Sequence, residues 1–497
     1  MTRPISLARA AALLSVLLAS ACSLEPDYRR PAAPVQDSWP AADSTAGSTA
    51  AADIGWHDFF HDESLQRLIA LALANNLDLR VVALNVGQAQ AKYRVQHADL
   101  FPAIDTNAVE QVERYPSGVL ASGAGAGAAG GGTVGGATSG TLFRNYDVGL
   151  GFTSYELDLF GRIRSLGHAA LEQYFSAEET RRATQLTLIA EIASGYFRLL
   201  ADEAALALTR STLEAQQGSY DLARKNFELG NGTELAVRQA QTTVETARAN
   251  LATQQRQLAQ DRDALVLLLG VPLPVDLKPG SDLASETLDS DLPAGISSIV
   301  LANRPDILAS EHQLQAANAS IGAARAAFFP SIALTGSYGT AATQLTGLFL
   351  GGSQAWSFSP QITVPIFTAG ANQANLDLVK LEKDAAVAQY EKAIQTGFRE
   401  VADALAARRT FDDQLTAQVA LLEAAGRAFA LADLRFRNGV DNYLTVLDAQ
   451  RSLYAAQLSL VAVRLERLQN LATLYKALGG GVREYTAGDQ ASASPHA

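Results

Sequence analysis

The chain has 497 residues, 48% of them hydrophobic, with one cysteine and a formal net charge of −12. That length and an Ala-rich apolar fraction allow a large core of closely packed helices. A single cysteine excludes a disulfide framework, and an acidic chain without a basic cluster excludes a nucleic-acid binder.

The first residues, MTRPISLARAAALLSVLLASAC, join a basic lead at Arg3 and Arg9 to a short apolar core over residues 10–18 and then small residues. This is the pattern of an export signal, residues 1–21. Cys22 stands where a lipoprotein signal carries its lipidated residue, and with no second cysteine no disulfide explains it. A covalent lipid of the palmitate type on Cys22 is expected; the alternative is an ordinary signal peptide that contains a Cys. Beyond the signal no run approaches the roughly 20 apolar residues of a membrane helix. Residues 22–54, rich in Pro, Ala and Ser, read as an extended tether.

HDFFH, His57 to His61, resembles a zinc-protease helix, since histidines at i and i+4 can share a metal. Asp58 is shorter than the Glu base such a helix carries, and no third-ligand motif follows. No metal site, no cofactor and no enzyme activity are expected, and no G-x-S-x-G nucleophile motif is found.

Proline then marks the helices. None occurs between Pro40 and Pro102, between Pro116 and Pro272, or between Pro365 and Pro495. An interior Pro costs a helix about 3 kcal/mol, so these stretches can hold long helices. Strands are expected at about 102–115 and 143–160. Tyr146, Val148, Leu150 and Phe152 alternate, and the parity shifts at Tyr155, Leu157 and Leu159, which predicts a bulge. The loop between them, 117–141, is Gly- and Ala-rich and should be mobile. Its GAGAAG, Gly125 to Gly130, has no following helix or acidic ribose ligand and predicts no dinucleotide site.

A helical hairpin is expected at about 161–270, broken at ELGNGT; its first arm of roughly 70 residues would be about 100 Å long. LPAGISSIVLANRPDI then leads to strands at about 330–340 and 355–367 and a second hairpin at about 368–478, broken at RNGVDN. Beyond that break Val446, Leu453, Leu460 and Leu474 recur at sevens, with Arg467 interrupting. Leu447, Tyr454, Val461, Leu468 and Tyr475 recur without a break, the period of a coiled-coil seam. Residues 484–497 read as a flexible tail.

The order repeats. NFELGNGTELAVRQAQTTV, from Asn226, aligns with RFRNGVDNYLTVLDAQRSL, from Arg435, at a constant offset of 209. Phe227 falls on Phe436, Gly230 on Gly439, Leu235 on Leu444 and Gln241 on Gln450. The chain therefore divides into a first repeat, 55–283, and a second, 284–483. Each is helix, strand, loop, strand, long helix, turn, long helix. The fold class is α+β. Ten-residue alternation with aromatics near the ends is the pattern of a membrane strand. Four strands cannot close a barrel, and an open edge in lipid leaves backbone groups unpaired at several kcal/mol each. The chain must oligomerise if these strands enter a membrane; two copies would give eight strands and three would give twelve.

PDYRRP after Cys22, WHDFFHDESLQRLIALALANNLDLR, YELDLFGRIRS, NRPDI, FFPSIALTGSYG, VPIFTAG and YLTVLDAQRSLYAAQ together resemble the outer membrane efflux proteins of the TolC-like family, in its lipoprotein branch. The resemblance covers nearly the whole chain after Cys22. It implies a homotrimer in which a twelve-stranded β-barrel in the outer membrane continues as a long antiparallel coiled-coil α-barrel, a tunnel through the periplasm. It implies an exit duct for multidrug efflux. The partners would be a periplasmic adaptor and an inner-membrane transporter, typically of the resistance-nodulation-division class. By resemblance, Gly230, Gly439 and Val440 lie at adaptor-docking tips, and Leu444, Asp448 and Arg451 form a periplasmic gate. Spacing i, i+4, i+7 puts these three on one helix face. The alternatives are plain turn chemistry at the tips and a helix-start Asp paired with an i+3 Arg. The first repeat has Leu235, Gln239 and Thr242 at the gate positions. Two further functions stay open: an exit duct for type I protein secretion, and a structural lipoprotein without a pore.

Overall fold

A computed structural model describes residues 23–36, 39, 51–115, 141–276, 283, 288, 301 and 303–486. The export signal, Cys22, the loop 117–140 and the tail from 487 lie outside the described residues. By its internal contacts the chain forms two units. One comprises Met1–Arg29, Ala89–Tyr174 and Leu314–Ala386; the other comprises Arg30–Gln88, Phe175–Gln313 and Val387–Ala497.

The helices, in chain order, are α1 Trp56–Phe59, α2 Glu63–Asn75, α3 Leu77–Ala98, α4 Arg162–Glu228, α5 Glu234–Leu269, α6 Pro305–Ala326, α7 Ala371–Arg437 and α8 Tyr443–Ala477. The strands are β1 Asp105–Tyr115, β2 Thr141–Leu157, β3 Ser331–Ala342 and β4 Gln354–Thr363. α4 and α7 have 67 residues each. Ala, Leu, Gln, Glu and Arg fill them, and no Pro interrupts them.

The first unit holds one antiparallel sheet in the order β1-β2-β3-β4. The register shift predicted by the parity change falls between Phe152 and Tyr155, with Ser154 at φ 56°. Pairing carries the alternation from strand to strand: Leu150 faces Tyr338, which faces Trp356, and Leu157 faces Ile332, which faces Ile362. One side of the sheet is therefore apolar. The other carries Asn107, Asp147, Ser337, Ser357 and Gln361, with Asn107 Nδ2 donating to Asp147 and the two Ser hydroxyls 2.8 Å apart. Tyr338 is 59% exposed and Trp356 74%, so nothing among the described residues covers that part of the apolar side.

YELDLFGR builds the step from β2 into α4. Asp158 accepts from the backbone N–H groups of Ile163 and Arg164, satisfying orphan donors of the first turn. Glu156 takes a bidentate pair from Arg162 at 2.7 and 2.8 Å, and Phe160 stacks on Phe329. The residues after Cys22 are tied to the same unit. Asn318 donates to the Pro26 carbonyl, Arg325 to that of Leu24, and Glu25 meets His168 at 3.0 Å.

In the second unit Asp62 caps α2 by accepting from Leu65 N–H, and Leu65, Leu68, Ile69 and Ala72 of that helix are buried at helical spacing. Phe59 stacks on Tyr475 at 4.0 Å, and Tyr475 donates to the Ile54 carbonyl. NRPDI supplies a buried guanidinium: Arg304 donates to Asp306, to Glu400 of α7 and to the Ala477 carbonyl at the end of α8. The seam in α8 is wider than a two-position repeat. Val446, Leu447, Leu460, Leu468, Leu474 and Tyr475 are buried, and so are Ala456, Val463 and Leu471 between the sevens, because the helix packs on more than one neighbour.

Two expectations are corrected. Residues 484–486 are not the start of a flexible tail: Thr486 donates to the Asp58 carboxylate from both its N–H and its hydroxyl, and His57 N–H donates to the Glu484 carbonyl. This also gives HDFFH a bonding role, and no group of three or more His, Cys, Asp or Glu that could hold a metal occurs among the described residues. The second concerns the expectation that no run beyond the signal approaches membrane-helix length. By length and composition α7 contains an 18-residue window apolar enough, and only 6% of it is buried.

Candidate functional site at the hairpin turns

Both hairpins turn through the same hydrogen-bonded device. Gly230 N–H donates to Phe227 O and Asn231 N–H to Asn226 O; Gly439 N–H donates to Phe436 O and Val440 N–H to Arg435 O, all at 2.9–3.0 Å. These are Schellman caps, which need a left-handed residue. Gly230 has φ +78° and Gly439 φ +72°. The next helices are capped by Thr233, accepting from Ala236 N–H, and by Asn442, accepting from Thr445 N–H. The two turns flank one cleft of about 590 Å³, lined by Asn231 and Gly232 from the first and by Phe436 and Tyr443 from the second. Val440 stands out from the second turn, 61% exposed.

One clasp belongs to the second turn alone. Arg435 Nε lies 2.6 Å from Asp441. The arginine's hydrogen bond holds the Asp441 carboxyl below its ordinary range. Counting back 209 residues, the first turn has Asn226 and Gly232 there. The pair spans six residues across the turn, a spacing that no helical i, i+4 rule would flag.

Leu444, Asp448 and Arg451 share a face of α8, as their spacing predicts. Asp448 and Arg451 pair at 2.9 Å with side chains 57% and 73% exposed. A pair that open to water stabilises its own helix by a few tenths of a kcal/mol at most. The structure adds what stands opposite. Leu444, Asp448 and Arg451 line a cleft of about 290 Å³ together with Gln239 and Thr242, the residues at the corresponding positions of the first hairpin. At its margin the hydroxyls of Tyr454 on α8 and Thr209 on α4 lie 2.9 Å apart. Gln216, also lining the cleft, has a buried Oε1 without a partner among the described residues. Thr209 and Gln216 have no signal in the sequence, since they lie some 240 residues from α8.

Further along the first hairpin, α4 and α5 set two carboxyls together. Burial, and then the neighbouring carboxyl of Asp261, push Asp202 up to about 7. Asp261 is held by Gln257 at 2.8 Å and by Arg198 at 3.7 Å.

The family model described as outer membrane efflux protein matches residues 68–271 and again 296–480. The toluene efflux pump outer membrane protein TtgC of Pseudomonas putida is 46% identical over 485 residues, spanning 96% of this chain and 97% of that protein. A crystallised membrane protein from Pseudomonas aeruginosa superposes with a TM-score of 0.84 at 42% identity, covering 94% of this chain and 99% of the other. The open state of the Neisseria gonorrhoeae MtrE outer membrane channel superposes with a TM-score of 0.82 at 40% identity, covering 94% and 100%. The chain belongs to the outer membrane efflux protein family, a family of channels.

Proposed function

We propose that three copies of this chain form the exit channel of a tripartite efflux system, anchored in the outer membrane and releasing small organic molecules outside the cell. The observation that carries this is the open sheet. Its apolar side is bare and its edge strands β1 and β4 have no further partner among the described residues, so only sister chains can satisfy those backbone groups in lipid. Three sheets of four strands close a twelve-stranded wall. The bare apolar window of α7 supports the same closure among helices in the periplasm.

Within that duct Leu444, Asp448 and Arg451 act as the periplasmic gate: an apolar constriction, a ring of like charges, and cations that hold neighbouring helices. Gly230, Gly439 and Val440 form the tips against which a periplasmic adaptor docks, and the adaptor links the duct to an inner-membrane transporter of the resistance-nodulation-division class. A lipid on Cys22 adds an anchor. Toluene, named for the relative, fits a cargo class of small apolar compounds. Mass measurement of the detergent-extracted protein, followed by planar-bilayer recording, tests the reading. A trimer that conducts is expected; a monomer without conductance would end it.

A further inference from the structure

On β2 the apolar face runs from Leu157 through Tyr155, Phe152 and Leu150 to Val148. At about 3.3 Å per residue and a tilt near 40°, that stretch rises about 23 Å, close to the roughly 25 Å apolar band of a membrane barrel. Beyond it, at the end of the sheet remote from the helix junctions, the same face changes character. Glu110 lies opposite Tyr146, Val112 opposite Arg144 and Arg114 opposite Leu142. Arg114 and Arg144 are therefore diagonal neighbours on one face, about 7–8 Å apart at Cα. Both are exposed. Neither has an ion-pair or hydrogen-bond partner among the described residues.

Arginine on the lipid side of a barrel is costly at mid-bilayer and tolerated near the interfaces. Arg144 lies four residues before Val148, about 10 Å beyond the band at that tilt, which is headgroup depth. The carboxylate on this patch, Glu110, sits closer to the band and accepts from the Tyr146 hydroxyl at 3.0 Å, leaving positive charge in excess. Two guanidinium forks at this spacing suit phosphate, which they can take in bidentate fashion.

We propose that Arg114 and Arg144 bind the phosphate groups of a phosphorylated glycolipid in the outer leaflet, with its acyl chains against the apolar face below. The proposal rests on reading the sheet as membrane wall. The probe is purified bisphosphorylated lipid A, titrated into the detergent-solubilised oligomer and followed by native mass spectrometry, with the dephosphorylated lipid in parallel. One charge at the interface changes lipid affinity about 5-fold. R114Q or R144Q is therefore expected to weaken binding of the phosphorylated lipid about 5-fold and the double variant about 25-fold, with no change for the dephosphorylated lipid. Each preparation is also recorded in planar bilayers. If wild type and double variant conduct alike and bind bisphosphorylated lipid A equally, the lipid site is wrong and the wall stands. If the wild type neither assembles nor conducts, the wall itself is wrong.

Discussion

At Gly230 and at Gly439 the backbone does the same thing: a left-handed glycine, two closing hydrogen bonds, and a polar cap on the next helix. The side chains around that backbone differ. The second turn is clasped by Arg435 and Asp441 and followed by Asp448 and Arg451; the first has Asn226, Gly232, Gln239 and Thr242 at those positions. Deeper in the hairpins the contrast reverses. Asp202 and Asp261 face each other in the first, where the second has Phe411 and Asn470. Local geometry comes from Gly and the caps, while charge is a separate layer. Two hairpins of one shape can thus respond differently to ions, pH and partners.

The sharpest way to break this comparison is to strip the charges from the second turn. D448A/R451A is expected to raise single-channel conductance severalfold, whereas Q239A/T242A should leave it nearly unchanged; equal effects in planar bilayers would remove the asymmetry.

Next comes the carboxyl pair. A carboxyl whose native pKa is raised, as that of Asp202 is to about 7, binds its proton more tightly when folded. Its contribution is complete below the unfolded value near 4 and is lost as pH rises through 7. D202N should flatten the dependence of thermal stability on pH between 4 and 8 and raise stability at pH 8. Melting curves of wild type and D202N across that range would decide it.

A smaller and equal effect is expected at the glycines. No atom lies within 4 Å of a Cβ built at Gly230 or Gly439, so G230A and G439A should each cost only the left-handed backbone penalty, about 1–2 kcal/mol. Unequal costs in denaturant melts would mean that the turns are not equivalent.

The smallest effect is local. R435A should speed amide exchange a few-fold at residues 436–442 and leave 227–233 unchanged. Because Asp441 is held below its ordinary range, the clasp stands above the unfolded carboxyl pKa and loosens as pH falls through the lowered native value. Hydrogen exchange at acidic and neutral pH reads both predictions.

What could be read from the sequence was short-range. Gly, Asn and Thr at ELGNGT and RNGVDN announce where helices stop and start, and Pro-free Ala/Leu/Gln/Arg tracts announce how long they run. The bulge near Tyr155 followed from one parity shift. β1 was the faintest element, because DTNAVEQVERY alternates polar with polar. Asp448 and Arg451 could be found from spacing, since one helix carries both. The clasp between Arg435 and Asp441 could not, nor could the cleft that sets Gln239 and Thr242 beside them.

The sequence by itself determined the long helices, their caps and turns, and which side of β2, β3 and β4 is apolar, because these follow from dihedral preference and periodicity within a few residues. The tertiary structure decided that β2 pairs with β3, that Tyr454 reaches Thr209 and that two aspartates meet across α4 and α5. Those contacts join residues far apart in the chain. Their geometry depends on how whole helices and strands pack, which no local pattern encodes.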